Sequence, residues 1–260
     1  MCNDTVTRRS LLFGATAGAV ALAAPAPAAA APSRGLQDLT HPVTTSFPAF
    51  EPGEEPVRRT ATTIEADGYY MQEWRILEHF GTHVDAPAHF TAGGRTSTEL
   101  SLAELITPLA VVDISRRAAH EPDTTVTVAD LLAYERRYER IPRGAAVVMD
   151  SGWASRSGDA AAYRGTDAQG GLHFPGFSAE ACDWLLRKRR IGSLGVDTLS
   201  IDPGVSEKFE VHVILTGADR YGVENIANLR RVPRHGATLT VGLIPYQDGS
   251  GGQARVFARW

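Results

Sequence analysis

Cysteine is scarce in this chain of 260 residues, in which only Cys2 and Cys182 occur. Because Cys2 lies in a segment that we expect to be removed, the mature chain can form no intramolecular disulfide, and a disulfide-stabilised fold is excluded. Cys182 lies in an apolar pattern with helical spacing, which predicts a buried core thiol rather than a nucleophile. A serine nucleophile is equally unsupported, because neither Ser151 nor Ser200 stands in a Gly-x-Ser-x-Gly motif.

The chain also has no surplus of positive charge, since 26 Lys and Arg face 30 Asp and Glu, giving a formal net charge of −4. This balance argues against a nucleic-acid-binding surface. The one dense basic run, residues 187–190, lies at the end of a predicted helix, where cations complement the helix dipole. We therefore predict a small molecule as the binding partner.

Long hydrophobic runs are missing after the amino terminus, so no stable membrane span is predicted. At the amino terminus itself, Arg8 and Arg9 precede an uncharged alanine-rich stretch that ends in small residues. This arrangement resembles a twin-arginine export signal. We expect residues 1–31 to be the signal and 32–260 the functional domain, located outside the cell or in the periplasm or cell envelope. An uncleaved anchor is the alternative.

What the sequence does contain is a cluster of metal-binding side chains. Residues 79–89 read His-Phe-Gly-Thr-His-Val-Asp-Ala-Pro-Ala-His and place His79, His83, Asp85 and His89 within eleven residues. Imidazole nitrogens and carboxylate oxygens are the ligands of zinc and manganese in proteins. The segment therefore indicates a metal-dependent enzyme.

The path of this segment follows from its residue types. Gly81, the β-branched Val84 and Pro87 all disfavour a helix. In an extended run alternate side chains share a face, so His83 and Asp85 should point the same way. His89, beyond the proline, is either a further ligand or a proton carrier beside the metal.

The pattern His-x-Gly-Thr-His-x-Asp-x-Pro-x-His resembles the signature of the cyclase family of metal-dependent hydrolases, which includes kynurenine formamidases and isatin hydrolases. A second stretch, in which His212 precedes Glu224 by twelve positions, is similar to the distal motif of that family. The resemblance implies one or two divalent ions, Zn²⁺ or Mn²⁺, held by His79, His83, Asp85, His212 and Glu224. It also implies that His89 is the general acid and base.

Strand patterns alternate with helical patterns along the chain, which predicts an α/β protein, and 43% hydrophobic residues suffice for one domain with a sizeable core. Helices are predicted over 128–138 and 179–189, capped by Thr127 and Ser178. The longest predicted loop covers 155–177. The family resemblance implies a single domain of the swivelling β/β/α type with a mixed, barrel-like sheet, and a homo-oligomer. Strands are predicted over residues 70–77, 110–114, 145–149, 193–196, 237–245 and 254–259.

A substrate pocket needs apolar walls, and the candidates are Phe50, Trp153, His173 and Phe174, with Phe47 nearby. Phe50 is also implied by the resemblance, because in the formamidase branch an aromatic residue of this loop packs on the substrate. We expect hydrolysis of an amide, cyclic or formyl, of a small aromatic molecule by metal-activated water. The alternative is a non-catalytic metal-binding or ligand-binding protein on the same scaffold, which has no need of His89.

Overall fold

A computed structural model describes residues 35–260, so the predicted export signal lies outside the described residues. The strands of the described part are β1 (Leu36–Asp38), β2 (Val57–Thr62), β3 (Met71–Arg75), β4 (His83–Asp85), β5 (Ile106–Asp113), β6 (Thr125–Val126), β7 (Ala146–Asp150), β8 (Gly176–Phe177), β9 (Ser193–Val196), β10 (Tyr221–Glu224), β11 (Ala237–Leu243) and β12 (Gly251–Arg259). Its α-helices are α1 (Ile64–Asp67), α2 (Leu102–Leu105), α3 (Ser115–Ala118), α4 (Val128–Arg137), α5 (Ala160–Arg164), α6 (Ala179–Trp184) and α7 (Glu210–Gly217).

The main sheet has the strand order β1-β12-β11-β5-β7-β9-β10-β4, and β4 also pairs with β12. That last pairing closes seven strands into a barrel, and β1 pairs with the far end of β12, at Phe257–Arg259. Strands β5, β7, β9 and β10 run parallel, whereas the remaining pairs are antiparallel. The predicted mixed, barrel-like α/β fold is confirmed.

The parallel strands are buried on both faces, which is why they read as continuous apolar runs. On β7, Ala146 and Val148 face the core inside the barrel, whereas Val147 and Met149 face the core beneath the helices. The two cores therefore follow the period-2 alternation of strand side chains. Cys182 of α6 lies fully buried in the outer core, as predicted.

Local capping residues set the limits of the predicted helices. Thr127 accepts a hydrogen bond from the Asp130 amide, and the Asp130 carboxylate accepts one from the Thr127 amide, which forms a capping box. Ser178 caps α6, and a π-helical turn, Leu185–Arg189, continues it to the predicted end. Both helices are confirmed.

The strand predicted over 70–77 is confirmed as β3, which pairs with β2 in a hairpin separate from the barrel. One prediction of local structure was wrong. The predicted loop 155–177 contains α5, because Asp159 caps this helix and Gly165, with φ 62, ends it in the left-handed conformation. Strand β10 and helix α7, which carry Glu224 and His212, were not predicted as elements. Among the described residues, no helix combines the length and apolarity needed to cross a bilayer.

Candidate metal centre and active site

The candidate site is built on the strand pairs that close the barrel. Strand β4 lies between β10 and β12, with Glu224 opposite His83 and Gly222 opposite Asp85. Directly opposed residues point to the same face of a sheet, so this register brings Glu224 to the metal-binding motif. A Cβ at Gly222 would lie 3.0 Å from Oδ2 of Asp85, and the glycine therefore leaves room for that carboxylate.

The five predicted ligands converge. Nδ1 of His79 lies 2.6 Å from Oδ1 of Asp85, and Nε2 of His83 lies 3.2 Å from the same oxygen. Nε2 of His212 lies 3.3 Å from Oε1 of Glu224 and 3.6 Å from Oδ2 of Asp85. The separation between Nε2 of His83 and Oε2 of Glu224 is 3.5 Å. Residues from two distant segments thus share one cluster.

The residues fit a divalent cation. Nε2 of His83 and Oδ2 of Asp85 are buried without a hydrogen-bond partner, which is costly unless a cation or a proton satisfies them. Two groups place their ligand atoms within 4.8 Å of one another: His79, His83 and Asp85, and Asp85, His89 and His212. Imidazole and carboxylate donors in this number can hold a metal ion of the zinc or manganese kind.

Hydrogen bonds behind the ligands orient their rings. Nδ1 of His83 donates to the carbonyl of Gly81 at 2.9 Å, and Nδ1 of His212 donates to Oδ2 of Asp202 at 2.7 Å. The Asp202 carboxylate also accepts from the amides of Val211 and His212, in the first turn of α7. Asp202 was not a predicted site residue, and the structure places it behind the predicted ligand His212.

The electrostatics of the cluster favour a bound cation. Burial opposes charge on His83, but the Asp85 carboxylate outweighs it and raises the pKa of His83 to about 9. Burial likewise opposes the charge of Asp85, yet the surrounding histidines hold the pKa of Asp85 well below its usual range. Burial, with Asp85 beside it, raises the pKa of Glu224. These buried anions stabilise positive charge placed between them.

His89 occupies a different position. It ends a 3-10 helix, Pro87–His89, and its ring stacks on that of His79 with centroids 3.8 Å apart. Burial lowers the pKa of His89 to about 4, so the ring is neutral at neutral pH and can accept a proton. His89 also lines the cavity that opens onto the cluster.

A cavity of about 570 Å³ opens directly onto the cluster. Its apolar walls are Phe50, Phe90, Leu199 and Phe209, and Glu54, Glu78 and Ser200 add polar groups. Phe50 therefore lies where the sequence placed it. Sequence reasoning missed Phe90 and Phe209. Phe90 directly follows His89, and that adjacency was an available signal, whereas nothing in the sequence marks Phe209.

Three other predicted substrate residues do not line this cavity, and the structure corrects their placement. Trp153 is 1% exposed, and its indole N–H donates to the Tyr163 carbonyl at 2.6 Å. Phe174 is equally buried and packs edge-on behind Phe50, at 6.5 Å between ring centroids. His173 lies at the surface, 2.8 Å from Asp123. Trp153 and Phe174 therefore fill a core, because burying the large apolar area of an aromatic side chain is favourable.

The remaining residues singled out in the sequence have structural roles. Phe47 is buried and packs edge-on against the Phe80 ring. Ser151 donates its hydroxyl to Asp197 at 2.6 Å, away from the cluster. Ser200 lies in the cavity wall, with its hydroxyl oxygen accepting from the Asp202 amide. Within the described residues, neither hydroxyl is hydrogen-bonded to a histidine.

Comparison with known proteins agrees with this geometry. The family model described as a putative cyclase matches residues 37–203. The chain belongs to the cyclase family. An isatin hydrolase of Roseibium aggregatum is 34% identical over 205 residues, covering 75% of this chain and 77% of the relative. A kynurenine formamidase of Paracidovorax citrulli is 29% identical over 208 residues, covering 75% and 82%.

Solved structures extend the likeness to the fold. Isatin hydrolase A from Ralstonia solanacearum superposes with a TM-score of 0.83 at 32% identity, covering 87% of this chain and 92% of that one. An isatin hydrolase bound to the product analogue thioisatinate gives a TM-score of 0.82 at 27% identity, with the same coverage. The predicted class of this cyclase-family protein, a metal-dependent amide hydrolase, is confirmed.

Proposed function

We propose that this protein hydrolyses a small, neutral cyclic amide joined to an aromatic ring. The observation that carries the proposal is the convergence of five metal ligands and His89 on one cavity with aromatic walls. His79, His83, Asp85, His212 and Glu224 would hold a divalent cation, which would supply Lewis acidity when bound.

The protein's own groups supply the remaining chemistry. Neutral His89 accepts the proton of the attacking water and returns it to the leaving amide nitrogen. Phe50, Phe90 and Phe209 bury the aromatic ring and exclude water from it. This division of roles distinguishes an enzyme from a binding protein, which has no use for a proton carrier beside the carbonyl.

The charge of the cavity favours a cyclic amide over an amino-acid formamide. Glu54 and Glu78 line it, and none of the lysines and arginines among residues 35–260 does. N-formylkynurenine carries both a carboxylate and an ammonium group, and Glu54 and Glu78 would pair only with the ammonium group, whereas no described lysine or arginine of the wall pairs with the carboxylate. A neutral ring amide requires no counter-ion. A formamide of an amino acid remains the second candidate, because kynurenine formamidases are among the relatives.

We further propose a single Zn²⁺ or Mn²⁺ per site. The two candidate donor groups share Asp85, and a second ion held by His89 would block its role as a base. Elemental analysis of the purified protein measures which metal is bound and how many ions each chain holds. Two equivalents of metal per chain would contradict the single-ion proposal.

The test of activity is a panel of isatin, cyclic imides and N-formylkynurenine, with Zn²⁺ or Mn²⁺ added to wild type and to His89→Ala. We expect turnover of ring amides by wild type, and loss of turnover with metal retained in the variant. If wild type binds metal but turns over no member of the panel, the alternative of a non-catalytic binding protein gains support.

Export and assembly are proposals that rest on other features. Residues 1–31 support a twin-arginine-type export signal, which a reporter fusion tests with Arg8 and Arg9 changed to lysine. A homo-oligomer is supported by exposed apolar side chains on the β2–β3 hairpin, including Val57, Tyr70 and Met71. Light scattering of the purified protein tests it, and a monomeric mass at high concentration would refute it.

A further inference from the structure

The three histidine ligands are not held in the same way. A neutral imidazole carries its proton on one nitrogen and a lone pair on the other. For His83 and His212, Nδ1 faces a pure acceptor, the Gly81 carbonyl and the Asp202 carboxylate respectively. The proton of each ring is therefore fixed on Nδ1, and Nε2 is left free for a cation.

His79 is turned the other way. Its Nδ1 faces Asp85 at 2.6 Å, and its Nε2 lies 2.8 Å from the hydroxyl of Ser250. The Asp85 carboxylate accepts at Nδ1, whereas a serine hydroxyl both donates and accepts, so without a further group the His79 proton would be drawn onto Nδ1. A proton on Nδ1 would point at the cation, and His79 would then be lost as a ligand.

Glu78 makes the Ser250 hydroxyl an acceptor for Nε2 of His79. One of its oxygens, Oε2, accepts from the Ser250 hydroxyl at 2.9 Å, from the Ser250 amide at 2.8 Å and from the Gly251 amide at 3.1 Å. Two backbone amides, which can only donate, already point to this oxygen, so it acts as an acceptor; the hydroxyl hydrogen then points to Glu78 and a hydroxyl lone pair faces His79. We infer that Glu78 and Ser250 are positioning residues of the metal centre, which keep the proton of His79 on Nε2 and leave Nδ1 free to bind the cation.

The fold brings these groups together where the barrel closes. Gly251 lies opposite Asp85 in the β4–β12 pair. A Cβ at Gly251 would lie 2.6 Å from the His79 ring and 2.3 Å from the Val84 carbonyl. Only glycine therefore allows this backbone to pass the ring, which sets Ser250 beside it. The hydrogen-bonded chain concerns metal binding and does not depend on which amide is the substrate.

The test measures the zinc dissociation constant of the metal-free protein by competition with a chromophoric chelator. Loss of a partner behind a metal ligand weakens binding about 10- to 100-fold, which we expect for Ser250→Ala and for Glu78→Gln. Ser250→Thr keeps the hydroxyl, so we expect its zinc affinity to be close to that of wild type. Glu54→Gln is the matched control, because it removes a carboxylate from the same cavity wall without touching a ligand.

A spectroscopic readout separates positioning from general damage. In the zinc-loaded wild type, ring ¹⁵N shifts should show His79 bound through Nδ1 with its proton on Nε2. Unfolding curves of the metal-free variants identify any loss of fold, and Ser250→Ala deletes only a hydroxyl. The inference is overturned if Ser250→Ala binds zinc like wild type, if Glu54→Gln weakens binding as much, or if His79 binds through Nε2.

Discussion

Asp202 has two measurable roles, and replacing it with asparagine separates them. Its Oδ2 accepts from Nδ1 of His212 at 2.7 Å and from the His212 amide at 3.0 Å, whereas Oδ1 accepts from the Val211 amide at 2.8 Å. An asparagine keeps the size and one accepting oxygen. Its NH₂ group, however, cannot accept at the second position, so either the His212 ring or the amides of α7 lose a partner.

The size of the effect follows from these bonds. Losing the group that orients a ligand weakens metal binding about 10- to 100-fold, or about 1.4 to 2.8 kcal/mol. Losing an acceptor for the first amides of a helix costs about 0.5 to 2 kcal/mol of folding stability. We therefore expect Asp202→Asn to be less stable by about that second amount without metal, and by more with metal present, because bound metal then contributes less.

The assay is urea unfolding of the protein with and without Zn²⁺, together with a chelator competition for zinc affinity. Asp123→Asn is the control, because Asp123 also bonds a histidine, His173, but at the exposed surface. We expect this control to change stability by less than about 1 kcal/mol and zinc affinity not at all. Wild-type zinc affinity together with wild-type stability in Asp202→Asn would refute both roles assigned to Asp202.

Three further predictions follow from particular contacts. Gly251→Ala should lower the free energy of unfolding by about 1 to 3 kcal/mol through crowding, whereas Gly217→Ala, with open space around it, should not; equal urea midpoints would contradict this. Hydrogen bonds from Arg95 lower the pKa of Glu104 to about 2, so their stabilisation is present above pH 4.5 and is lost as the pH falls toward 2. Glu104→Gln should therefore be less stable by up to about 1 kcal/mol at pH 7, with a difference from wild type that shrinks at pH 3; a constant difference in urea unfolding would exclude the ion pair. Trp153→Ala should lower the free energy of unfolding by about 3 to 5 kcal/mol because Trp153 fills a core; a change in KM at wild-type stability would return it to the substrate pocket.

The sequence by itself determined the chemistry of the metal-binding segment. His83 and Asp85 alternate on an extended strand, so spacing alone placed them on one face, and the strand His83–Asp85 confirms the path. The capped helices and the parallel strands β5, β7 and β9 were predictable for the same reason. Their signals are local, and side-chain periodicity and capping depend on neighbours within a few residues.

Only the tertiary structure decided what surrounds that segment. Glu224 reaches His83 through the register of β10 on β4, and Ser250 reaches His79 through the closure of β12 on β4. No local pattern encodes a register between strands so far apart in the chain. Local patterns also do not separate a core aromatic residue from one in the cavity wall. Trp153 fills a core, whereas Phe50 lines the cavity. Which side chain is buried depends on the elements packed against it, and packing is a property of the whole fold.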